Sequence, residues 1–175
     1  MKSGVPHLKL VGAEPAPVGL AAVYRAYASY VAAVVFRLLG RDDEIDDVVQ
    51  DVFLAAARGL ERLREPEATK GWLATVAVRL SMRRLRRRRL WSFLGLDSVN
   101  ENDILATSND PADRLLLARV YAVLDEIPVS ERVAWVLHRV EGETLPIVAQ
   151  RCGCSLATVK RWIAKAQAKV EVRLS

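Results

Sequence analysis

Cysteine and histidine are scarce in this chain of 175 residues, which has two of each. The cysteines, Cys152 and Cys154, are separated by one residue, whereas the histidines, His7 and His138, lie far apart in sequence. Two cysteines are too few for a disulfide framework, and a bridge between residues this close would be strained. A structural zinc site needs about four such ligands. We therefore expect a reducing compartment, no metal and no cofactor.

Long hydrophobic runs are also absent. Residues 1–18 contain three prolines but no sustained apolar run or cleavage pattern, so we expect a loose tail and no signal peptide. The most apolar stretch, 26–36, lies between Arg25 and Arg37. Its length falls short of the roughly 20 apolar residues that span a bilayer. The sequence predicts a soluble, cytoplasmic protein without membrane insertion.

Charge is distributed unevenly along the chain. The formal net charge of +5 and the pI near 9.5 favour an anionic partner. Seven arginines lie between residues 79 and 89, with no glutamate among them, which is typical of phosphate binding. A solvated charged face is the commoner explanation of such a run. Six acidic residues lie in 42–51, which predicts either internal pairing with the arginines or a docking surface for a basic partner.

Apolar residues recur at helical spacing, and no alternating strand pattern or hairpin is present. We predict three N-terminal helices: the first covers about 19–39, the second covers 45–60, and the third runs from near Thr69 into the arginines. Pro66 is expected to interrupt helical structure before the third helix. The predicted core face of that helix consists of Trp72, Leu73, Val76 and Leu80.

The second half of the chain has its own set of helices. Residues 92–113 carry five acidic residues and no basic one, as in a linker. After Asp110 as N-cap and Pro111 as first helical residue, we predict helices over about 111–127, 129–140, 145–152 and 156–173. Their predicted core faces are Leu116, Val120, Val123, Leu124 and Ile127; Val133, Val136, Leu137 and Val140; and, in the last helix, Leu156, Val159, Ile163, Ala166 and Val170.

These patterns predict an all-α fold of two helical modules. The tail covers 1–18, the first module 19–91, the linker 92–113 and the second module 114–175. As a flexible coil the linker would average about 26 Å in length. Fully stretched, it would reach about 70 Å.

The last two predicted helices have the spacing of a helix-turn-helix. Ala149 lets the helices approach, Gly153 makes the turn, and Val159 packs the second helix on the first. Ser155 is the predicted N-cap of the second helix, and Cys152 is expected to pack as a small hydrophobic residue beside the turn. An ordinary cationic surface helix is the alternative. The residues facing away from the predicted core are Ala157, Thr158, Arg161 and Lys165, with Lys160 and Lys169 beside them.

Three segments in this order resemble a bacterial RNA polymerase sigma factor of the sigma-70 family. They are "DEIDDVVQDVFLAAARGL", "GWLATVAVRLSMRRLRRRR" and, after the linker, "LDEIPVSERVAWVLHRVEGETLPIVAQRCGCSLATVKRWIAKA". The compact form is similar to the extracytoplasmic-function (ECF) group, which keeps only regions 2 and 4. The resemblance covers nearly all of residues 20–173.

The resemblance implies a role for each segment. The second helix would dock on the clamp helices of the largest subunit of core RNA polymerase, and the second module would reach the flap region. The third helix would melt and read the −10 element, and the last helix would read the −35 element. The implied docking residues are Asp46, Asp47, Val49, Gln50, Asp51 and Phe53; the −10 residues are Lys70, Arg79, Arg83, Arg84, Arg86, Arg87 and Arg88; the −35 residues are Ser155, Ala157, Thr158, Lys160, Arg161 and Lys165.

The implied partners are core polymerase, double-stranded and melted promoter DNA, and an anti-sigma factor. The sequence departs from the family at Arg79 and Arg83, where the group often has asparagine and an acid, and at Trp162, Pro146 and Ile147. Promoter preference is therefore not transferable. A stand-alone helix-turn-helix regulator is the alternative, and no nucleophile, metal set or phosphate loop indicates an enzyme.

Overall fold

The computed structural model describes residues 19–41, 44–59, 66–95 and 111–174. Helices dominate these ranges, which contain no strand, so the all-α prediction is confirmed. The helices are α1 (Leu20–Leu39), α2 (Ile45–Gly59), α3 (Pro66–Phe93), α4 (Pro111–Glu126), α5 (Val129–Arg139), α6 (Leu145–Cys152) and α7 (Leu156–Leu174).

Helix α1 is the central helix of the first module and packs against both α2 and α3. Gly40 ends it in the left-handed conformation (φ 70°), and its N–H donates to the carbonyl of Phe36 at 2.8 Å. With 20 residues and a mean hydropathy of 1.2, α1 is long and apolar enough to cross a membrane, unlike the shorter stretch considered from sequence. In this structure its valines and leucines, such as Val34 and Leu38, lie in the core instead.

Helix α3 differs from its predicted form at both ends. Pro66 is its first residue, so it starts the helix and does not interrupt helical structure before it. Proline is tolerated in the first turn because its missing N–H has no partner there. At the other end the helix continues through Phe93, into the predicted linker. Its core face is also rotated from the prediction, since α1 and α2 both pack on it. The buried apolar residues are Leu73, Ala74, Ala77, Val78, Met82 and Leu85, whereas Trp72, Val76 and Leu80 are half-buried.

The second module consists of α4–α7, with α5 and α7 in the most extensive contact. Most of its predicted core residues are buried, including Leu124, Leu137 and Ile163. Leu116, Val140 and Leu156 are exposed instead because they lie at the ends of their apolar stripes. Tyr121 of α4 is also buried, although it was not part of the predicted core face.

The two modules pack on each other in this structure, through contacts of α5 with α1 and α3 and of α6 with α3. Tyr121 lies against Gly40, where a Cβ would come 2.2 Å from the Tyr121 ring, so only glycine fits. The Tyr121 hydroxyl also donates to the carbonyl of Arg37 at 2.9 Å. Arg37 in turn pairs with Glu141. The C-terminal end of α1 therefore makes contacts that fix the second module beside the first.

Arg132 is the most buried charged side chain of this junction, with 2% of its surface exposed. Its Nη2 donates to the carbonyls of Leu38 and Leu39 at 3.0 and 2.9 Å, and its Nε donates to Leu38 at 3.2 Å. It also pairs with Asp125. These carbonyls are the unpaired acceptors at the C-terminus of α1, so one guanidinium caps a helix of the other module.

Candidate nucleic-acid interface

Four arginines of α3 form an exposed face. They lie at i, i+4, i+7 and i+8, so they point to one side of the helix, away from the apolar core. The stretch from residue 68 to 96 contains no acidic residue, so α3 offers no carboxylate of its own to neutralise them. We call this set the arginine face; it consists of Arg79, Arg83, Arg86 and Arg87.

The other arginines of the run have partners within the protein. Arg88 Nη2 donates to Glu44 at 2.6 Å, and Arg84 Nε lies 2.7 Å from Glu44, close enough for an ion pair although the N–H is poorly aligned for a hydrogen bond. Burial alone would raise the pKa of Glu44, but Arg88 and Arg84 outweigh it and hold that pKa below its usual range. Arg89 Nη1 donates to the carbonyl of Ile127 at 3.0 Å. The acidic segment therefore pairs internally with part of the run, through Arg84 and Arg88.

Lys70 also belongs to the predicted −10 set and is exposed at the start of α3. Its ammonium group lies over the ring of Tyr30, 4.8 Å from the centroid. Burial raises the pKa of Tyr30, against the opposing charge of Arg151. Arg151 belongs to α6, so its interaction with Tyr30 of α1 is a contact between the two modules.

The acidic helix α2 presents part of the predicted docking set to solvent. Asp46, Asp47, Gln50 and Asp51 are exposed, and Asp47 is 3.8 Å from Arg84. Val49 and Phe53 are buried, with 8% and 5% exposure, so in this structure they pack in the core. Their assignment as docking residues stays a prediction. Asp42 and Asp43, the first two acidic residues of the segment 42–51, lie outside the described residues.

The helix-turn-helix has the geometry expected from its spacing. Ala149 and Val159 are buried, and Gly153 takes φ 67° at the turn between α6 and α7. The Cys154 N–H donates to the carbonyl of Ala149 at 3.0 Å, which closes the C-terminus of α6. Ser155 Oγ accepts the N–H of Thr158 at 3.2 Å, as an N-cap does. The turn between α6 and α7 is therefore stabilised by the conformation of Gly153 and by hydrogen bonds within the helix-turn-helix itself.

The outward side of α7 carries the predicted reading residues. Ala157, Lys160, Arg161 and Lys165 are exposed, and Thr158 is half-buried through its contact with Ser155. Small side chains at the first turn allow close approach to a groove, and the longer cations can reach base edges or phosphates beside it. Packing of the two modules leaves this surface and the arginine face exposed, but it fixes the spacing between them.

An apolar patch at the end of α3 was not anticipated from the sequence. Leu90, Trp91, Phe93 and Leu94 are 49–87% exposed, and the guanidinium of Arg87 lies 5.8 Å from the centroid of the Trp91 ring. They extend the same side of α3 as the arginine face. The sequence "RLWSFLGL" contained the signal, but the predicted linker began within it.

The two cysteines are free and partly buried beside the turn. Burial raises the pKa of Cys152 to about 12, so its thiol stays protonated and is a poor metal ligand. Within the described ranges, no group of three or more His, Cys, Asp or Glu side chains could hold a metal ion.

Replacing Cys152 with serine is expected to lower the free energy of unfolding by about 1 kcal/mol, because a half-buried thiol becomes a hydroxyl beside the turn. Urea denaturation measures the loss, and Cys154→Ser, at the less deeply buried of the two cysteines, should cost less. Stoichiometric zinc in the purified protein, lost in either variant, would contradict a packing role.

Comparison with known proteins identifies both modules. Residues 23–90 match Sigma-70 region 2, and residues 117–170 match Sigma-70, region 4. The sigma factor CnrH of Cupriavidus metallidurans is 30% identical over 142 residues, which cover 76% of this chain and 74% of CnrH. The probable ECF sigma factor SigI of Mycobacterium tuberculosis is 26% identical over 161 residues. That match covers 86% of this chain but 54% of SigI, so the chain spans about half the length of this relative.

Two solved structures share the fold. CnrH in complex with the cytosolic domain of CnrY has a TM-score of 0.61 and 27% identity, covering 89% of each chain. The sigma factor RpoE in complex with the anti-sigma factor NepR, from Bartonella quintana, has a TM-score of 0.64, covers 86% of this chain and 93% of that chain, and is 22% identical. Together with the two region matches, these similarities define a two-module transcription factor fold. The chain belongs to the sigma-70 family of RNA polymerase sigma factors, in its ECF group.

Proposed function

We propose that this chain is a transcription initiation factor that binds core RNA polymerase and directs it to specific promoters. In this proposal α2 docks on the clamp helices, α3 melts and reads the −10 element, and α7 reads the −35 element. The observation that carries the proposal is the presence of two exposed cationic surfaces, the arginine face and the outward side of α7, on two separate modules. The polymerase performs the catalysis, and the chain itself is not an enzyme.

In this proposal the exposed acidic residues of α2 contact core polymerase. Exchanging Asp47 and Asp51 for lysine is expected to weaken binding to core polymerase by at least tenfold, because reversed charges repel a basic partner. Both carboxylates lie outside the core, so the fold should remain intact. Affinity for purified core enzyme is the measurement.

The neutral exchange of the same two residues for asparagine is the matched control and should give an intermediate loss. Equal affinity for all three proteins would count against α2 as the docking surface. Circular dichroism of each variant separates lost binding from lost structure.

For −10 recognition, the proposal keeps the arginine face and Lys70 as the DNA contacts. Arg84 and Arg88 already bind Glu44, so they position α3 against α2 instead of contacting DNA in this arrangement. Arg79 lies one turn before Arg83 on the exposed side, which gives it access to an unpaired base. A cation there recognises a different base edge from an amide.

For −35 recognition, Arg161→Ala is expected to cost roughly 1–3 kcal/mol at the preferred −35 sequence and little elsewhere. The side chain is exposed on the outward side of α7, where it can reach a guanine edge. Binding of the holoenzyme to promoters with intact and scrambled −35 elements gives the two affinities. If the variant lost affinity equally for both, Arg161 would be a phosphate contact and not a base contact.

An anti-sigma factor is a further proposed partner, since the structural neighbours were solved with the anti-sigma factor NepR and with CnrY. The proposed location is the cytoplasm, where core polymerase acts. Run-off transcription with purified core enzyme and a promoter pool tests the function: promoter-specific transcripts that require the chain are expected. Specific promoter binding without any polymerase-dependent transcript would favour a stand-alone helix-turn-helix regulator.

A further inference from the structure

A cleft of about 130 Å³ lies between the modules, at the C-terminal half of α3 and the turn between α4 and α5. This volume is large enough for a phosphate-sized group. The charged residues in its described lining are Arg41, Arg88, Arg89, Arg132 and Asp125.

The arginines of the cleft have hydrogen-bonding capacity left over. Each guanidinium carries five N–H donors. The N–H groups of Arg132 donate to the carbonyls of α1 and to Asp125. In contrast, Arg88 makes two hydrogen bonds and Arg89 makes one. Arg41 makes none with the described part of the chain. Several donors at the cleft therefore have no partner among the residues that the structure describes.

The charge of the cleft is also unbalanced. The described lining contains four guanidinium groups and one carboxylate; Asp125 pairs with Arg132, and Arg88 pairs with Glu44 next to the cleft, which leaves Arg41 and Arg89 without a carboxylate partner among the described residues. Burial lowers the pKa of Arg132, and the nearby charge of Arg88 lowers it further. Like charges in a partly buried site repel strongly, and guanidinium groups match the geometry of phosphate oxygens. A small anion would relieve this repulsion and use the remaining donors.

We propose that this cleft binds a phosphate or pyrophosphate group, held by Arg41, Arg88 and Arg89. Because these arginines belong to the first module while Arg132 and Asp125 belong to the second, the anion contacts both sides of the junction. A ligand that binds only the packed arrangement stabilises it by mass action. The anion thus favours the arrangement in which the two promoter-reading surfaces are held close. Binding is a property of the free chain and does not depend on the proposed function.

The test is calorimetric titration and thermal unfolding of the full chain with inorganic phosphate and with pyrophosphate, at constant ionic strength set by sodium chloride. We expect saturable binding with one site per chain. The melting temperature should rise by about 3–6 °C at ten times the dissociation constant. An equal rise in melting temperature in sodium chloride of the same ionic strength, without phosphate or pyrophosphate, would overturn the proposal.

Arg41→Gln and Arg89→Gln test the assignment, because these arginines make few contacts and their loss should leave the fold intact. Each is expected to weaken pyrophosphate binding at least tenfold, and Arg41→Lys should partly restore it. Arg119→Gln, exposed on α4 and outside the described lining of the cleft, is the matched control and should stay within twofold. An equal loss in the control would show nonspecific attraction.

A final arm distinguishes a free anion from a DNA phosphate. If Arg41→Gln and Arg89→Gln lowered affinity for nonpromoter duplex DNA while the parent chain bound no pyrophosphate, the cleft would be a DNA backbone contact and the proposal would be wrong. Undiminished duplex binding together with lost pyrophosphate binding supports a separate anion site.

Discussion

Arg132→Ala is expected to weaken the junction between the modules by about 3–5 kcal/mol, a loss typical of breaking a buried charged contact. Removal of the guanidinium leaves the carbonyls of Leu38 and Leu39 without their donor. Water can reach these carbonyls once the modules separate, so separation is the expected response. Small-angle scattering should report a larger radius of gyration, and urea unfolding should report lower stability and cooperativity.

Arg139→Ala is the matched control for this prediction. Arg139 lies on the same helix, is exposed, and makes no hydrogen bond or ion pair with the residues that the structure describes. Its loss should change stability by less than about 0.5 kcal/mol. Equal behaviour of the two variants would mean that Arg132 does not hold the modules together.

The second large effect is expected from the arginine face. Exchanging Arg86 and Arg87 for alanine should lower affinity for DNA roughly 30-fold at about 0.15 M salt, whatever the promoter sequence. The reason is counterion release: each lost phosphate contact lowers the slope of log affinity against log salt by about 0.9. Affinity of the holoenzyme for promoter DNA at several salt concentrations measures both quantities.

Arg84→Ala provides the contrast, because Arg84 is committed to Glu44 within the protein. This variant should lose stability while retaining the salt slope of the parent. If the double variant kept its salt slope, the arginine face would not contact the DNA backbone.

The sequence predicted the fold well because helical periodicity is a local property. The helix-turn-helix is an example: Ala149, Gly153 and Val159 each act within a few residues of the chain, and their spacing alone predicted the turn. Pro66 was misjudged because the same residue that disrupts a helix interior is tolerated in its first turn.

Contacts between distant segments could not be predicted in the same way. Periodicity cannot reveal that Tyr121 packs on Gly40, or that Glu44 engages Arg84 and Arg88 but not the arginine face. The burial of Val49 and Phe53 was visible in the apolar pattern of α2, yet the family resemblance assigned them to a surface. The resemblance assigns one role to all six residues of the docking set, whereas the structure divides them between the exposed side of α2 and the core.

The packed arrangement bears directly on promoter recognition. Helix α3 ends at Phe93 and α4 begins at Pro111, so the connecting chain is shorter than the sequence indicated. Fully extended, it would span about 60 Å. The two promoter elements lie roughly two helical turns apart, about 70 Å. We therefore expect the packed free protein to bind a promoter poorly, and core polymerase to separate the modules.

A footprint on promoter DNA, with and without core polymerase, tests this account most directly. We expect protection of both the −10 and −35 elements only when core polymerase is present, and weak, unspecific protection by the free chain at the same concentration. Strong protection of both elements by the free chain would contradict the account and identify a stand-alone regulator.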